Sequence, residues 1–154
     1  MPAEGFGDPI SLIFALVSLS LAPFLAVMVT SYLKIVVVLS LIRNALGIQQ
    51  IPPNMVINGM AIILSLYIMS PVVQTSYNLL QERLPEKGGS ITDLVEAAGG
   101  AKEPLKEFLT KHSNERERAF FHESARELWP EEQAANLTDD HLLVLVPAFT
   151  VSEL

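Results

Sequence analysis

The residues best suited to catalysis or metal binding are His122 and Glu123, which lie in a strongly charged stretch of the chain. A zinc protease motif needs a second histidine four residues after the first, because both imidazoles must then lie on one face of a helix. Arg126 occupies that position, so the zinc motif fails. His112 and His141 are too scattered to complete a ligand set, and we expect all three histidines to be solvated or to cap helices.

Other catalytic patterns are also absent from the sequence. There is no phosphate-binding glycine loop, no dinucleotide-binding glycine pattern and no nucleophile elbow. The 154 residues contain no cysteine, which excludes a disulfide framework, an iron–sulfur cluster and a thiol nucleophile. The sequence therefore predicts a protein that is not an enzyme and that binds no cofactor or metal.

Lys34 is the one charged residue placed inside a long apolar run. No Asp, Glu, Lys, Arg or His occurs from Pro9 to Leu33, a stretch of 25 residues. A cation within a membrane is costly, so it faces protein, water or the interface. Lys34 could therefore contact another protein segment, or it could extend its ammonium group from near a helix end to the lipid headgroups. The sequence leaves both interpretations open.

The charge distribution divides the chain into an apolar and a polar part. A second stretch without charged residues covers 38 positions, from 44 to 81, whereas about 20 apolar residues suffice to span a bilayer. Residues 82–140 hold 14 of the 17 acids and 8 of the 10 bases. An acidic region of this kind argues against nucleic acid as a partner. The pattern predicts an all-α membrane protein.

The apolar part reads as a long helical hairpin with arms 10–46 and 54–81. Gly47 is expected to end the first arm, and Pro53 leads into the second, so the tip is 47–54. An unbroken helix over 10–46 would measure about 55 Å, well beyond a hydrocarbon core of about 30 Å. The first arm is therefore steeply tilted, broken at Pro23 or not entirely in lipid, and we expect helix interruptions at Pro23 and Pro71.

Each arm carries small or polar residues at helical spacing. Small residues on one face let two membrane helices approach closely, so we expect these positions to mediate helix packing. On the first arm they are Ser18, Ala22, Ala26, Thr30 and Lys34. On the second arm they are Asn54, Asn58, Ala61 and Ser65.

The whole chain then divides into four parts. A tail (1–8) precedes the hairpin (9–81), and a polar, acidic, helical domain (82–137) follows outside the membrane. A third hydrophobic helix begins at 138 and continues to 154 without a stop signal, so we expect the natural protein to continue beyond Leu154.

The sequence around the tip resembles the FliP/SctR family, the inner-membrane export-gate proteins of bacterial flagella and type III secretion injectisomes. The matching residues in the hairpin are Thr30-Ser31-Tyr32, Lys34-Ile35, Leu39-Ser40-Leu41, Arg43-Asn44-Ala45-Leu46-Gly47, Gln49-Gln50, Pro52-Pro53-Asn54, Ile62-Ile63-Leu64-Ser65-Leu66-Tyr67, Met69 and Pro71-Val72. The match returns at Phe120-Phe121, Leu128-Trp129-Pro130 and Pro147-Ala148-Phe149-Thr150-Val151-Ser152-Glu153-Leu154. The later segments, and the absence of a signal-peptide pattern, favour the injectisome branch.

The resemblance implies a structural role. Members of this family assemble in several copies, with two smaller membrane subunits, into a pore that admits unfolded export substrates. Much of that assembly lies above the bilayer on the periplasmic side, which would accommodate the over-long arms. Members also continue past the position of Leu154 into two hydrophobic segments with a methionine-rich constriction, and nothing here aligns with it.

We therefore expect a pore subunit in the bacterial inner membrane, in contact with lipid, with copies of itself, with the smaller subunits and with exported proteins. The positive-inside rule places the tip in the cytoplasm and the polar domain in the periplasm. The residues expected to organise assembly at the tip are Arg43, Asn44, Gly47, Gln49, Gln50, Pro52, Pro53 and Asn54. The alternative function is a subunit of a small-solute transporter or ion channel that uses Lys34 and the broken helices as its site.

Overall fold

The computed structural model describes residues 9–48, 51–84 and 91–154, and this part of the chain folds into helices without a strand. The predicted tail (1–8) and two predicted tip residues, Gln49 and Gln50, lie outside the described residues. The helices are α1 (Pro9–Val29), α2 (Tyr32–Ala45), α3 (Asn54–Arg83), α4 (Ile91–Ala101), α5 (Glu103–His112), α6 (Glu115–Leu128), α7 (Glu131–Ala135) and α8 (Leu142–Glu153). The all-α prediction is confirmed.

The first arm of the hairpin is two helices, and the break between them was predicted at the wrong place. Helix α1 continues through Pro23, and the chain leaves helical geometry only at Thr30 and Ser31. The Thr30 hydroxyl lies 3.4 Å from the amide nitrogen of Tyr32, so a side chain takes the place of a backbone acceptor there. Such local bonds from threonine compete with the helical ladder.

Pro71 does not end a helix either, because α3 runs without interruption from Asn54 to Arg83. A proline removes one backbone hydrogen bond and crowds the carbonyl four residues earlier. The remaining bonds on both sides of Pro71 persist, since an apolar segment has little water available for freed backbone groups. The predicted interruptions at Pro23 and Pro71 are therefore wrong as helix ends.

Helices α2 and α3 form the hairpin itself. Helix α2 ends at Ala45, and Gly47 follows with φ +67°, a left-handed conformation that glycine adopts without strain. Helix α3 contacts α2, and it has one row of buried residues, namely Ile57, Ala61, Ser65 and Met69. By contrast, the segment Leu12–Val29 of α1 buries none of its residues within the chain.

The polar helices pack partly on the hairpin and partly on α8. One buried cluster joins α3, α5 and α8 through Met69, Phe108, Leu109, Leu145 and Phe149. A second cluster joins α6 to α8 through Ala125, Leu137 and Val144. Helix α8 contributes to both clusters, so it is the element that connects them. The domain boundaries proposed from composition stay a prediction.

Two helices in the described part of the chain are long and apolar enough to cross a membrane. They are Leu12–Val29, with a mean hydropathy of 2.5, and Asn54–Arg83, in which an 18-residue window reaches a mean hydropathy of 2.0. Helix α8 is apolar but shorter. These lengths fit the membrane protein that the charge distribution predicts.

Candidate assembly site

Arg43 connects the two arms of the hairpin at its tip. The guanidinium group donates to Asn54 Oδ1 at 2.6 Å and to the carbonyl of Pro52 at 3.3 Å. Arg43 belongs to the last turn of α2, and Asn54 is the first residue of α3. Charge-assisted bonds of this kind are stronger than neutral ones, so this side chain holds the two helix ends in register.

The sequence between these helices explains why the two groups meet. The Gly47 amide donates to the Asn44 carbonyl at 3.1 Å, which closes the last turn of α2. Pro53 then precedes α3 with φ −58° and ψ 152°, and its carbonyl accepts from Val56. Asn44 itself is exposed. The structure thus brings Arg43, Pro52 and Asn54 together.

The small-residue stripe of the first arm does not lie on a single helix. Ser18, Ala22 and Ala26 are exposed on α1, Thr30 lies in the break, and Lys34 belongs to α2. The prediction of one continuous stripe is wrong because the chain leaves helical geometry between the third and fifth members. Within this chain, the three α1 residues remain accessible to a neighbour.

The stripe of the second arm is partly placed as predicted. Ala61 is fully buried and Ser65 is 6% exposed, and both lie in the buried row of α3. Asn58 is exposed, so the expected packing role for it does not hold within the chain. The buried row runs through Ile57 instead, since burying an isoleucine removes more apolar area from water than burying an asparagine.

Lys34 forms an ion pair with Glu153, the last residue of α8. Lys34 Nζ lies 3.1 Å from Glu153 Oε1. The Glu153 side chain is 3% exposed and that of Lys34 is 56% exposed. Of the two placements left open above, the structure thus shows a protein contact. A buried carboxylate needs a partner to offset its lost hydration, and Lys34 supplies it.

Sequence reasoning did not identify Glu153 as a functional residue. A signal was nevertheless present, because Glu153 is the only acid in the apolar stretch from Leu142 to Leu154. An unpaired acid in one apolar helix and an unpaired base in another are candidates for each other. With a separation of 119 residues, only the tertiary structure could establish the pair.

The last turn of α8 contacts two further elements next to this ion pair. The Ser152 hydroxyl accepts from the Asn114 amide at 2.8 Å and donates to the Ala148 carbonyl at 2.7 Å. The Thr150 hydroxyl donates to the carbonyl of Val146 at 2.8 Å and lies 3.5 Å from the carbonyl of Met28 in α1. This turn therefore gathers α1, α2 and the start of α6 at one point.

The opposite end of α8 is held by a lysine of α5. Lys106 Nζ lies 3.1 Å from Asp140 Oδ2. The hydrogen bond from the Thr138 hydroxyl, with the nearby Lys106 ammonium as a second cause, lowers the pKa of the Asp140 carboxyl below its ordinary value. Asp140 belongs to the turn that leads into α8, so this contact fixes where the helix begins.

His122 and His141 contact the segment that leads into α8 and its first turn. His122 Nδ1 lies 2.8 Å from Asp139 Oδ1, and its Nε2 lies 3.0 Å from the carbonyl of Leu137. His141 Nδ1 accepts from the Leu143 amide at 3.3 Å and so caps α8, which is one of the two roles expected from the sequence. No group of three or more His, Asp or Glu side chains that could hold a metal occurs among the described residues.

Comparison with known proteins identifies the family. The FliP family matches residues 15–154. The hypersensitivity response secretion protein HrcR of Ralstonia nicotianae is 52% identical over 145 residues, covering 94% of this chain and 67% of the relative. The Yop proteins translocation protein R of Yersinia pestis is 46% identical over 150 residues, covering 96% of this chain and 67% of the relative.

A third relative, the virulence protein YscR of Salmonella typhimurium, is 42% identical over 149 residues, with 96% of this chain and 67% of the relative covered. The chain thus spans about two thirds of the length of these relatives. Two membrane-length helices agree with a membrane protein of this kind. The chain therefore belongs to the FliP family, among the members that serve the type III secretion export apparatus.

Proposed function

We propose that this chain is a structural, pore-forming subunit of the type III secretion export apparatus and that it catalyses no reaction. The observation that carries the proposal is the match to secretion and translocation proteins over nearly the whole chain, at 52% identity in one case. The names of these relatives describe secretion and translocation, not a chemical reaction.

The geometry supports a structural role. The polar side chains that stand out in the apolar part of the chain connect one helix to another, as Arg43 does at the tip and Lys34 does with Glu153. Groups engaged in such contacts position elements and do not converge on a substrate. Because Lys34 is already paired, no observation favours the alternative of a small-solute transporter with Lys34 as its site.

Assembly requires surfaces that remain free in the single chain. Helix α1 is apolar and unburied from Leu12 to Val29, and Ser18, Ala22 and Ala26 lie along it. In the proposed assembly, α1 packs against copies of the chain, against the smaller membrane subunits or against lipid, and the pore admits unfolded proteins. The tip lies in the cytoplasm and the polar helices lie in the periplasm, as the positive charges of Lys34 and Arg43 favour.

The decisive test of the function is secretion by a strain in which the full-length protein carries Arg43→Ala. We expect reduced secretion and a reduced yield of the export complex in mild detergent, because the two helix ends lose their shared donor. Ile48→Ala is the matched control, since Ile48 is exposed near the same turn and is not among the residues expected to organise assembly. A protein that purifies alone and moves a small solute across vesicles would contradict the pore proposal.

The proposed orientation has its own test. These 154 residues lack cysteine, so single cysteines can be introduced at Asn44 near the tip and at Glu115 on α6. A maleimide that cannot cross membranes should label the Glu115 variant in intact spheroplasts and label the Asn44 variant only after permeabilisation. The reverse labelling pattern would show that the topology is the opposite of the one proposed, and it would not contradict the pore role.

A further inference from the structure

Helix α6 carries an exposed apolar edge in the polar part of the protein. Phe120 is 59% exposed and Leu128 is 81% exposed. Ser124 lies between them, and since each step is four residues, the three side chains follow one face of the helix. We name these three residues the α6 edge. Among the described residues of α4 to α7, the other large apolar side chain with comparable exposure is Val95.

The α6 edge adjoins aromatic side chains that pack against the core. The rings of Phe120 and Phe121 meet edge to face, with centroids 5.3 Å apart and planes at 81°. Phe121 and Trp129 both pack against the cluster of Ala125, Leu137 and Val144. An exposed aromatic ring that is already held in place loses little conformational freedom on binding, which is a property of interface hot spots.

Acidic side chains border the α6 edge on the side away from the core. Glu123 and Glu127 precede Ser124 and Leu128 by one residue, so on a helix they form the adjacent row, opposite to Phe121 and Ala125. Both glutamates are exposed. The stretch 115–132 contains six acids and three bases. The surface is therefore an apolar strip beside a row of negative charge.

We propose that the α6 edge docks a segment of a second protein in which apolar side chains are flanked by Lys or Arg. The apolar strip supplies the buried centre of the contact, and the glutamates select a basic rim. This inference rests on the proposed function only in that the chain works inside an assembly of several proteins.

The same charges disfavour two other occupants of this strip, the identical edge of a second copy and an anionic lipid surface. If the α6 edge of one copy packed on that of another, the two-fold contact would oppose Glu123 and Glu127 to an equally acidic row. Anionic lipid headgroups would meet the same repulsion. A segment of a different protein with apolar and basic side chains would cover the apolar strip and pair with the carboxylates of Glu123 and Glu127.

The test places a photoreactive amino acid at Leu128 of the full-length protein in the assembled export complex, and repeats it at Phe120. Irradiation in native membranes is followed by sequencing of the cross-linked peptide. We expect a peptide of another protein that contains apolar residues beside Lys or Arg. The same photoreactive residue at Arg126, exposed on another face of α6, is the control and should not give this product.

Charge reversal tests the acidic row separately. Glu123→Lys with Glu127→Lys should lower the cross-linking yield by about tenfold, while Glu115→Lys, at an exposed acid in the first turn of α6, should leave it unchanged. The amount of complex is measured in the same samples, so a failure of assembly is distinguished from the loss of this contact. Cross-links to lipid, to a second copy or to a peptide without basic residues would overturn the proposal, as would an unchanged yield after reversal.

Discussion

Lys34 and Glu153 show how two residues that are unfavourable alone become compatible with an apolar environment together. Removing one partner of a buried pair leaves the other uncompensated, which is more costly than replacing both with apolar groups. The exposure is unequal, however, since Glu153 is buried and Lys34 is about half exposed. The carboxylate is therefore the group that depends on its partner.

Replacing Lys34 by Met should destabilise the protein by about 1–3 kcal/mol, because Glu153 remains buried without its cation. The double variant Lys34→Met with Glu153→Leu should recover part of that loss, which makes the two effects non-additive. Thermal unfolding in detergent, followed by the fluorescence of the single Trp129, measures both variants. Strict additivity would show that the pair contributes no coupling energy.

Asp140 gives the protein a defined sensitivity to acid. Its pKa is lowered in the folded state by the Thr138 hydroxyl and by Lys106, relative to an unfolded value of about 3.9. A lowered folded pKa contributes stability above the unfolded pKa and loses it as the pH falls through the folded pKa. Below about pH 4, we therefore expect the contacts of the turn that precedes α8 to weaken.

Asp140→Asn removes this titrating group and keeps the shape of the side chain. The stability difference between wild type and this variant should be constant above about pH 5 and should shrink as the pH falls below about 4. Unfolding midpoints measured across that range test the prediction. Parallel curves for the two proteins would show that Asp140 has no part in the acid response.

At the scale of the helices, the two small-residue stripes have different surroundings and should respond differently to the same change. Ala61 is fully buried on α3, whereas Ala22 is exposed on α1. A small residue in a packed interface limits the distance between helices. An exposed small residue imposes no such limit until another molecule packs against it.

Ala61→Leu should therefore destabilise the isolated chain by about 1–3 kcal/mol through overpacking. Ala22→Leu should leave that stability within about 0.5 kcal/mol, as for most surface substitutions, and should reduce the yield of the assembled complex. Unfolding of the purified chain and native gel analysis of the complex measure the two effects. Normal assembly of the Ala22 variant would remove α1 from the proposed contacts.

At the scale of the whole molecule, α8 makes the polar helices and the hairpin one structural unit. Leu145 and Phe149 of α8 share a cluster with Met69 of α3 and Leu109 of α5. The division of the chain by composition separates these residues into different parts. The packing joins them, because a thin set of short helices cannot bury enough apolar surface alone.

Leu145→Ala should cost about 2–5 kcal/mol, as expected for a fully buried leucine, and should loosen the hairpin and the polar helices together. As the denaturant concentration is raised, limited proteolysis should begin to cleave α3 and α5 at the same concentration. Leu143→Ala is the control, because Leu143 is 61% exposed on the same helix. Unfolding of the polar helices alone would show that they form a separate unit.

The sequence by itself determined the helical class, the membrane-length segments and the position of the hairpin tip. These features depend on local physics, since the lengths of uncharged runs follow from the composition and the turn follows from Gly47 and Pro53. The family could be recognised for a related reason. Its matching residues around the tip are contiguous, so no knowledge of the packing was needed.

The tertiary structure decided what depends on contacts between distant segments. It placed the break of the first arm at Thr30 and Ser31 instead of Pro23, and it selected Ile57 over Asn58 for the buried row. It also paired Lys34 with Glu153 across 119 residues. Helical spacing shows which residues share a face, but only packing decides which face is buried and which charges meet.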